Sequence, residues 1–302
     1  MYESYFGLRE LPFSLTPNTH YFLNVKTHVQ ALELLLVALR NAEGFIKISG
    51  EVGTGKTLLC RKLLNTLEDE FVTAYIANPQ LTADQLYLAV AEELNVDVSG
   101  ETGSHQVIKR LNEKLITKAQ EGKKVVLVID EAQAMPEPTI EALRLLTNLE
   151  TESTKLLQVV LFGQPELDEM LNRPSLRQLQ QRITFQQRLS ALDQGACVQY
   201  LHHRLAQAGY NGPALFNSHA ERLLYKASGG IPRLINILAH KSLISAYGRG
   251  EKKIRRKHVK LAIKDTESVR MPRFSRMIWS FAGVGLTGLL VLVFMVSQGG
   301  LG

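Results

Sequence analysis

Two hydrophobic rhythms alternate between residues 44 and 189. Short, mostly apolar runs, GFIKIS (44–49), VTAYIA (72–77), KVVLVI (124–129), LLQVVLF (156–162) and ITFQQ (183–187), are separated by longer stretches of helical period. KVVLVI and LLQVVLF do not alternate with polar positions. Such runs suit strands covered on both faces, as in a parallel sheet. The helical stretches are 27–41, 57–68, 82–94, one capped by Ser104, and 137–150. Thr82 with Gln85 forms a capping-box signature. Val107, Ile108, Leu111, Leu115 and Ile116 form the apolar face of the helix after Ser104. Strands alternating with helices predict an α/β fold, a parallel sheet in three layers. Residues 1–26, with Pro12, Pro17 and several aromatics, predict irregular chain.

Beyond Leu189 the strand rhythm stops. Helices are predicted over 193–208, 217–228, 232–247 and 255–264, which makes a small all-α domain over about 190–268. A third pattern follows. Residues 277–297, MIWSFAGVGLTGLLVLVFMVS, carry no charge. Their length as a helix is roughly 30 Å, the thickness of a hydrocarbon core. This predicts a C-terminal transmembrane helix with a tail at 298–302. Trp279, Arg270, Arg273 and Arg276 lie at its start, so the positive-inside rule places the preceding chain in the cytoplasm. Gly283, Gly285 and Gly288 match G-x-G-x-x-G, but no strand precedes them, so a dinucleotide site is excluded. Gly283 and Thr287 instead make a small-residue pair suited to helix packing.

Composition changes this picture little. Only Cys60 and Cys197 are present, which excludes a disulfide framework and a cysteine metal site and points to a reducing compartment. No apolar leader opens the chain. Charge adds more. The net charge is +6, yet residues 249–276 hold a surplus of eight positive charges, so the remainder is slightly acidic. Any contact with a polyanion must therefore run through that segment.

The sharpest chemical signal is Gly50-Glu51-Val52-Gly53-Thr54-Gly55-Lys56-Thr57, followed by Leu58, between a predicted strand and a predicted helix. Its glycines let backbone N–H groups approach phosphate oxygens, and the following helix adds its positive end. Lys56 is expected at the β- and γ-phosphates, and Thr57 at Mg²⁺. Asp130 and Glu131 end the buried run 124–129. At a strand's carboxyl edge they suit two tasks: Asp130 supports the metal, and Glu131 deprotonates an attacking water. Gln164, after 156–162, is a candidate to stand beside Asp130 and a γ-phosphate. Arg182 is a candidate to reach a neighbouring subunit's nucleotide, in competition with Arg177 and Arg188. Arg233, in GGIPRLIN, sits at a predicted helix N-terminus, where a cation is unfavourable unless an anion joins it.

In this order the motifs resemble those of the AAA+ ATPases. The resemblance covers about 27–265. It implies an ATPase core over 27–189 with strand order 5-1-4-3-2, a helical lid over 190–268, ATP and Mg²⁺ at their junction, and homo-oligomers that share sites. YESYFGLRELPFSLTPNTHYFL, GEVGTGKTLLCR, DEAQ and LFGQPEL resemble the general secretion pathway protein A family more closely. That family includes pilus-biogenesis ATPases of the MSHA (mannose-sensitive haemagglutinin) type. The likeness implies a single-pass ATPase of the bacterial inner membrane that assists assembly of a type IV pilus or secretion machine. Its implied partners are pilus or secretin-assembly proteins, with anionic lipid expected at the basic segment 269–276 and no specific nucleic acid. Longer members carry a periplasmic peptidoglycan-binding domain after the membrane helix. This sequence runs five residues past residue 297, which fits the shorter type. The resemblance also implies that residues 1–26 pack on the nucleotide, with Phe6, Pro12 and Phe13 walling the adenine. Two alternatives remain: a DNA-binding ATPase of the transposition or initiator type using EKKIRRKHVK, and an ATP-binding scaffold with little turnover.

Overall fold

The computed structural model describes residues 2–99, 103–149, 155–267 and 269. In chain order its helices and strands are α1 (Glu3–Phe6), α2 (Lys26–Arg40), β1 (Phe45–Gly50), α3 (Lys56–Leu64), β2 (Phe71–Ile76), α4 (Ala83–Glu93), α5 (Ser104–Gln120) and β3 (Lys124–Ile129). Then come α6 (Glu137–Leu146), β4 (Leu157–Gly163), α7 (Pro165–Leu171), α8 (Arg177–Gln180) and β5 (Ile183–Leu189). Four lid helices follow: α9 (Gln194–Gln207), α10 (Ser218–Ser228), α11 (Pro232–Tyr247) and α12 (Arg256–Lys264).

The strands form one sheet in the order β2-β3-β4-β1-β5, and each pairing is parallel. This is the expected order, read from the other edge. Alternation along the central strands sorts side chains between two cores. Val126, Val128, Ile46, Ile48, Val160 and Phe162 face α2 and α3, where they meet Leu35, Leu39, Leu59 and Leu63. Leu127, Ile129, Val159 and Leu161 face the other way, toward α4, α5, α6 and α7. Both faces of β3 are therefore dry, which is why it reads as an unbroken apolar run, while Lys47 and Gln158 interrupt β1 and β4. Each fully buried Leu or Ile contributes about 1.5–3 kcal/mol.

Register places the functional edge. Ser49 lies opposite Gly163, and Ile129 opposite Leu161. Gly50, Asp130 and Gln164 thus leave the sheet side by side, at its carboxyl ends. Here β1 stands between β4 and β5, the switch point where open α/β sheets bind ligands.

The capping box is present: Gln85 N donates to Thr82 Oγ1 at 3.3 Å, and Thr82 N to Gln85 Oε1 at 2.9 Å. Ser104 departs from expectation. Gly103 is the N-cap of α5, and the Ser104 hydroxyl donates to Asp84 at 2.5 Å instead. The helix expected to reach residue 68 ends at Leu64, and the one expected to reach 150 ends at Leu146. Residues 1–26 are not wholly irregular, because α1 and a 3-10 turn at Thr19–Tyr21 interrupt them.

Met1–Thr266 clusters as one compact unit, so core and lid form one body. Glu267–Gly302 is a second unit, almost entirely outside the described residues. The basic segment 269–276, apart from Val269, and the apolar run 277–297 lie outside them too. Among the described residues no helix is long and apolar enough to cross a membrane.

Candidate active site

The Gly-rich loop joins β1 to α3 and is held from three sides. Lys56 Nζ donates to Gly50 O at 2.7 Å and to Glu51 O at 3.1 Å. The Thr54 hydroxyl donates to Glu51 O at 2.8 Å. His28 of α2 is buried, and its Nε2 lies 3.0 Å from Thr54 O. A carbonyl oxygen can only accept, so Nε2–H is the donor. Burial holds this imidazole below its ordinary pKa, which keeps it neutral.

Gly53 and Gly55 have φ of 82° and 102°, a region that L side chains rarely adopt. Gly53 has a second reason to be glycine. A Cβ there would come within 2.6 Å of the Arg233 Cβ. Arg233 N donates to Gly53 O at 3.2 Å, so the first turn of α11 rests directly on the phosphate loop.

The acidic pair sits across from Lys56. Asp130 is buried, which raises its pKa; hydrogen bonds from Thr57 and from the Glu131 N–H (2.9 Å) oppose the rise. Glu131 has φ of 52°, an uncommon value for a non-glycine residue and one that concentrates at functional sites. Burial acts to raise the Glu131 carboxyl. The amide donors of Gln164 and Gln133 and the Lys56 charge outweigh it and hold the group below its ordinary value. Burial in turn lowers the Lys56 pKa, and the charges of Glu131 and Asp130 work against that.

Gln164 is the N-cap of α7. Its Nε2 donates to Glu131 Oε2 at 2.9 Å, so its side-chain amide meets Glu131 rather than Asp130. Arg233, Lys56, Thr57, Glu131 and Gln164 share one cavity of about 250 Å³. Asp130 does not line it but is hydrogen-bonded to Thr57, which does.

The arginines divide by position. Arg182 precedes β5 at the amino end of the sheet, where its Nη1 donates to Thr147 Oγ1 at 3.2 Å. The six residues of β1 separate that end from the loop, roughly 16 Å of strand. Arg182 therefore does not join the Lys56 site of its own chain. Arg188, at the carboxyl end of β5, pairs with Glu51 at 3.3 Å, and Arg177 is exposed at the start of α8.

Residues 14–18 form the other wall of the cavity, facing Tyr200, Arg204 and Asn236 of the lid. Phe6, Pro12 and Phe13, expected to wall the adenine, are buried and do not line this cavity. The Phe13 ring stands 6.2 Å from Phe216, and Tyr5, packed on Phe6 at 4.9 Å, meets Tyr247 at 5.3 Å. Sequence reasoning missed His28, Gln133, Tyr200, Arg204 and Asn236. Of these, only Gln133 carried a local signal, its place two residues after Glu131.

A larger groove, about 650 Å³, lies below β5, but its buried cation Lys47 is already matched by Asp168 at 2.5 Å. Among the described residues no cluster of three His, Cys, Asp or Glu has metal-binding geometry. Thr57 and Asp130 fit a Mg²⁺ that also takes phosphate and water oxygens, since a hard ion of this kind needs only one or two protein ligands.

Comparison with known proteins agrees with this arrangement. Residues 39–171 match the AAA domain family. The chain is 42% identical over 270 residues to general secretion pathway protein A of Aeromonas hydrophila, covering 89% of this chain and 49% of that protein. It thus spans about half the length of this relative. Among solved structures, Cdc6p from Pyrobaculum aerophilum is similar in fold, with a TM-score of 0.66 and 21% identity over 84% of this chain and 70% of that one. The ORC2 protein of Aeropyrum pernix, in ADPNP-ADP complexes, has a TM-score of 0.64 at 16% identity, covering 86% and 72%. The match to the AAA domain family makes this an ATPase domain, and its site residues fit ATP with Mg²⁺.

Proposed function

We propose that the chain couples ATP hydrolysis at this site to assembly of a secretion or type IV pilus machine, while anchored in the bacterial inner membrane. The observation that carries the chemistry is the convergence of Lys56, Thr57, Glu131, Gln164 and Arg233 on one cavity between core and lid. The loop and Lys56 hold the phosphates. Mg²⁺, bound by Thr57 and Asp130, would neutralise charge on the phosphate oxygens. Glu131 accepts a proton from water, whose oxygen attacks the terminal phosphorus, and ADP and phosphate leave. Arg233 brings the lid's charge to the same anion, so phosphate release frees the lid from one of its ties. Arg182 serves the site of a neighbouring copy in a homo-oligomer.

Likeness to general secretion pathway protein A supports the secretion role. The apolar run 277–297 and the arginines before it support the anchor, with anionic lipid at 269–276. A second reading is favoured by α12. Arg256, Lys257, Lys260 and Lys264 are exposed on it, and a cationic helix face of this kind also suits a nucleic-acid backbone.

Capture from membranes with the Glu131→Gln chain, held on ATP, tests the choice. Recovery of inner-membrane pilus or secretin-assembly proteins supports the first reading. Recovery of DNA alone, lost steeply as salt rises, supports the second and sinks the first.

A further inference from the structure

Gln133 follows Glu131 in the 3-10 turn Ala132–Ala134, and it does not line the nucleotide cavity. Its two amide atoms nevertheless have separate tasks. Oε1 accepts the backbone N–H of Gln164 at 2.9 Å, which fixes the orientation of the amide. Nε2 therefore faces Glu131 and donates to Oε2 at 2.6 Å. Gln164 Nε2 donates to that same oxygen at 2.9 Å. Two donors occupy one carboxylate oxygen, while its twin, Oε1, has neither amide.

We infer that Gln133 is a positioning residue, which with Gln164 clamps Glu131 by Oε2 so that Oε1 is presented to the attacking water. The inference rests on the hydrolysis reading above. A carboxylate free to rotate exchanges its oxygens and tilts away from the reacting line. One clamped by two amides keeps a single oxygen, at a single angle, in reach of water. The left-handed backbone at Glu131 contributes by turning the chain so that residues 131 and 133 face the same way. The clamp also ties the end of β3 to the turn between β4 and α7, so the base and Gln164 keep a fixed separation.

The test compares the full chain with Gln133→Glu and Gln133→Met in steady-state ATP hydrolysis, with ATP affinity measured in parallel. Nucleotide-dependent thermal unfolding checks that each variant folds. The Glu side chain keeps an acceptor for the Gln164 N–H but replaces the donor to Glu131 with a like charge. The Met side chain keeps length and loses both bonds. The expected result is a fall in kcat on the order of 10- to 100-fold in both, with Gln133→Glu at least as slow, and KM for ATP within about threefold of wild type. A Gln133→Glu chain with kcat within twofold of wild type would mean that Gln133 merely braces the turn, and overturns the inference. Loss of ATP affinity at unchanged kcat overturns it equally. No turnover in the wild-type chain would instead overturn the hydrolysis reading, and this inference with it.

Discussion

His28 supports the phosphate loop without touching a phosphate. Its Nε2–H on Thr54 O would survive protonation, so it is burial that keeps the ring neutral, by lowering the pKa from about 6.5. Above that value the ring is neutral in both folded and unfolded chains. Below it the unfolded chain takes up a proton first, so stability falls as pH drops from 6.5 toward the folded pKa. His203, His240 and His258, also lowered by burial, add in the same direction. Denaturant midpoints at pH 7.5 and 5.5 should therefore fall with acid, and fall less in His28→Asn, whose amide still donates. An identical drop in the variant would remove His28 from this account. Residues of this kind were hidden in the sequence. Lys56, Thr57, Asp130 and Glu131 were legible because fixed spacing ties each to its own strand end. His28 and Gln133 act on partners from other elements, Thr54 and Gln164, and no local pattern announces such a meeting.

Elements were legible in proportion to their length and burial. β3 and β4 declared themselves because both faces are dry. α7 and α8, of seven and four residues, are too short to establish a helical period. The N-terminal segment was the larger surprise. It behaves as a strap across the lid before it reaches the cavity. Arg204 of α9 is buried, donates to Pro12 O and to Ser14 O (2.9 Å), and lies 4.1 Å from the Tyr21 ring. On the other side, Arg61 of α3 donates to Pro17 O at 2.9 Å. Residues 14–18 are thus pinned between lid and core, and they form a wall of the nucleotide cavity. Arg204→Leu removes two charge-assisted hydrogen bonds and a cation–π contact, a loss on the order of 3 kcal/mol. Urea unfolding should shift accordingly, proteolysis near residues 8–18 should quicken, and ATP should bind more weakly. Unchanged cleavage and affinity would show that the strap does not depend on this residue.

At the scale of the whole molecule, core and lid are one body joined at the phosphate loop. Arg233 contributes its backbone N–H to Gly53 and its side chain to the cavity, so the lid is bound to the loop before any phosphate arrives. Arg233 is legible in the sequence from its awkward place at a helix N-terminus, whereas the need for glycine at 53 comes from the Arg233 Cβ packed against it. The same scale holds the contrast in charge: a slightly acidic body, then a strongly basic stretch leading to the apolar run 277–297. That contrast motivates the membrane proposal, but everything in it presupposes that the cavity hydrolyses ATP. The most direct test follows ATP binding and steady-state phosphate release together, in the full chain and in Glu131→Gln. The account predicts turnover in the first. In the second it predicts ATP affinity within a few-fold of wild type, with turnover at least about 100-fold slower. No hydrolysis by the wild-type chain, or undiminished hydrolysis by Glu131→Gln, would contradict it.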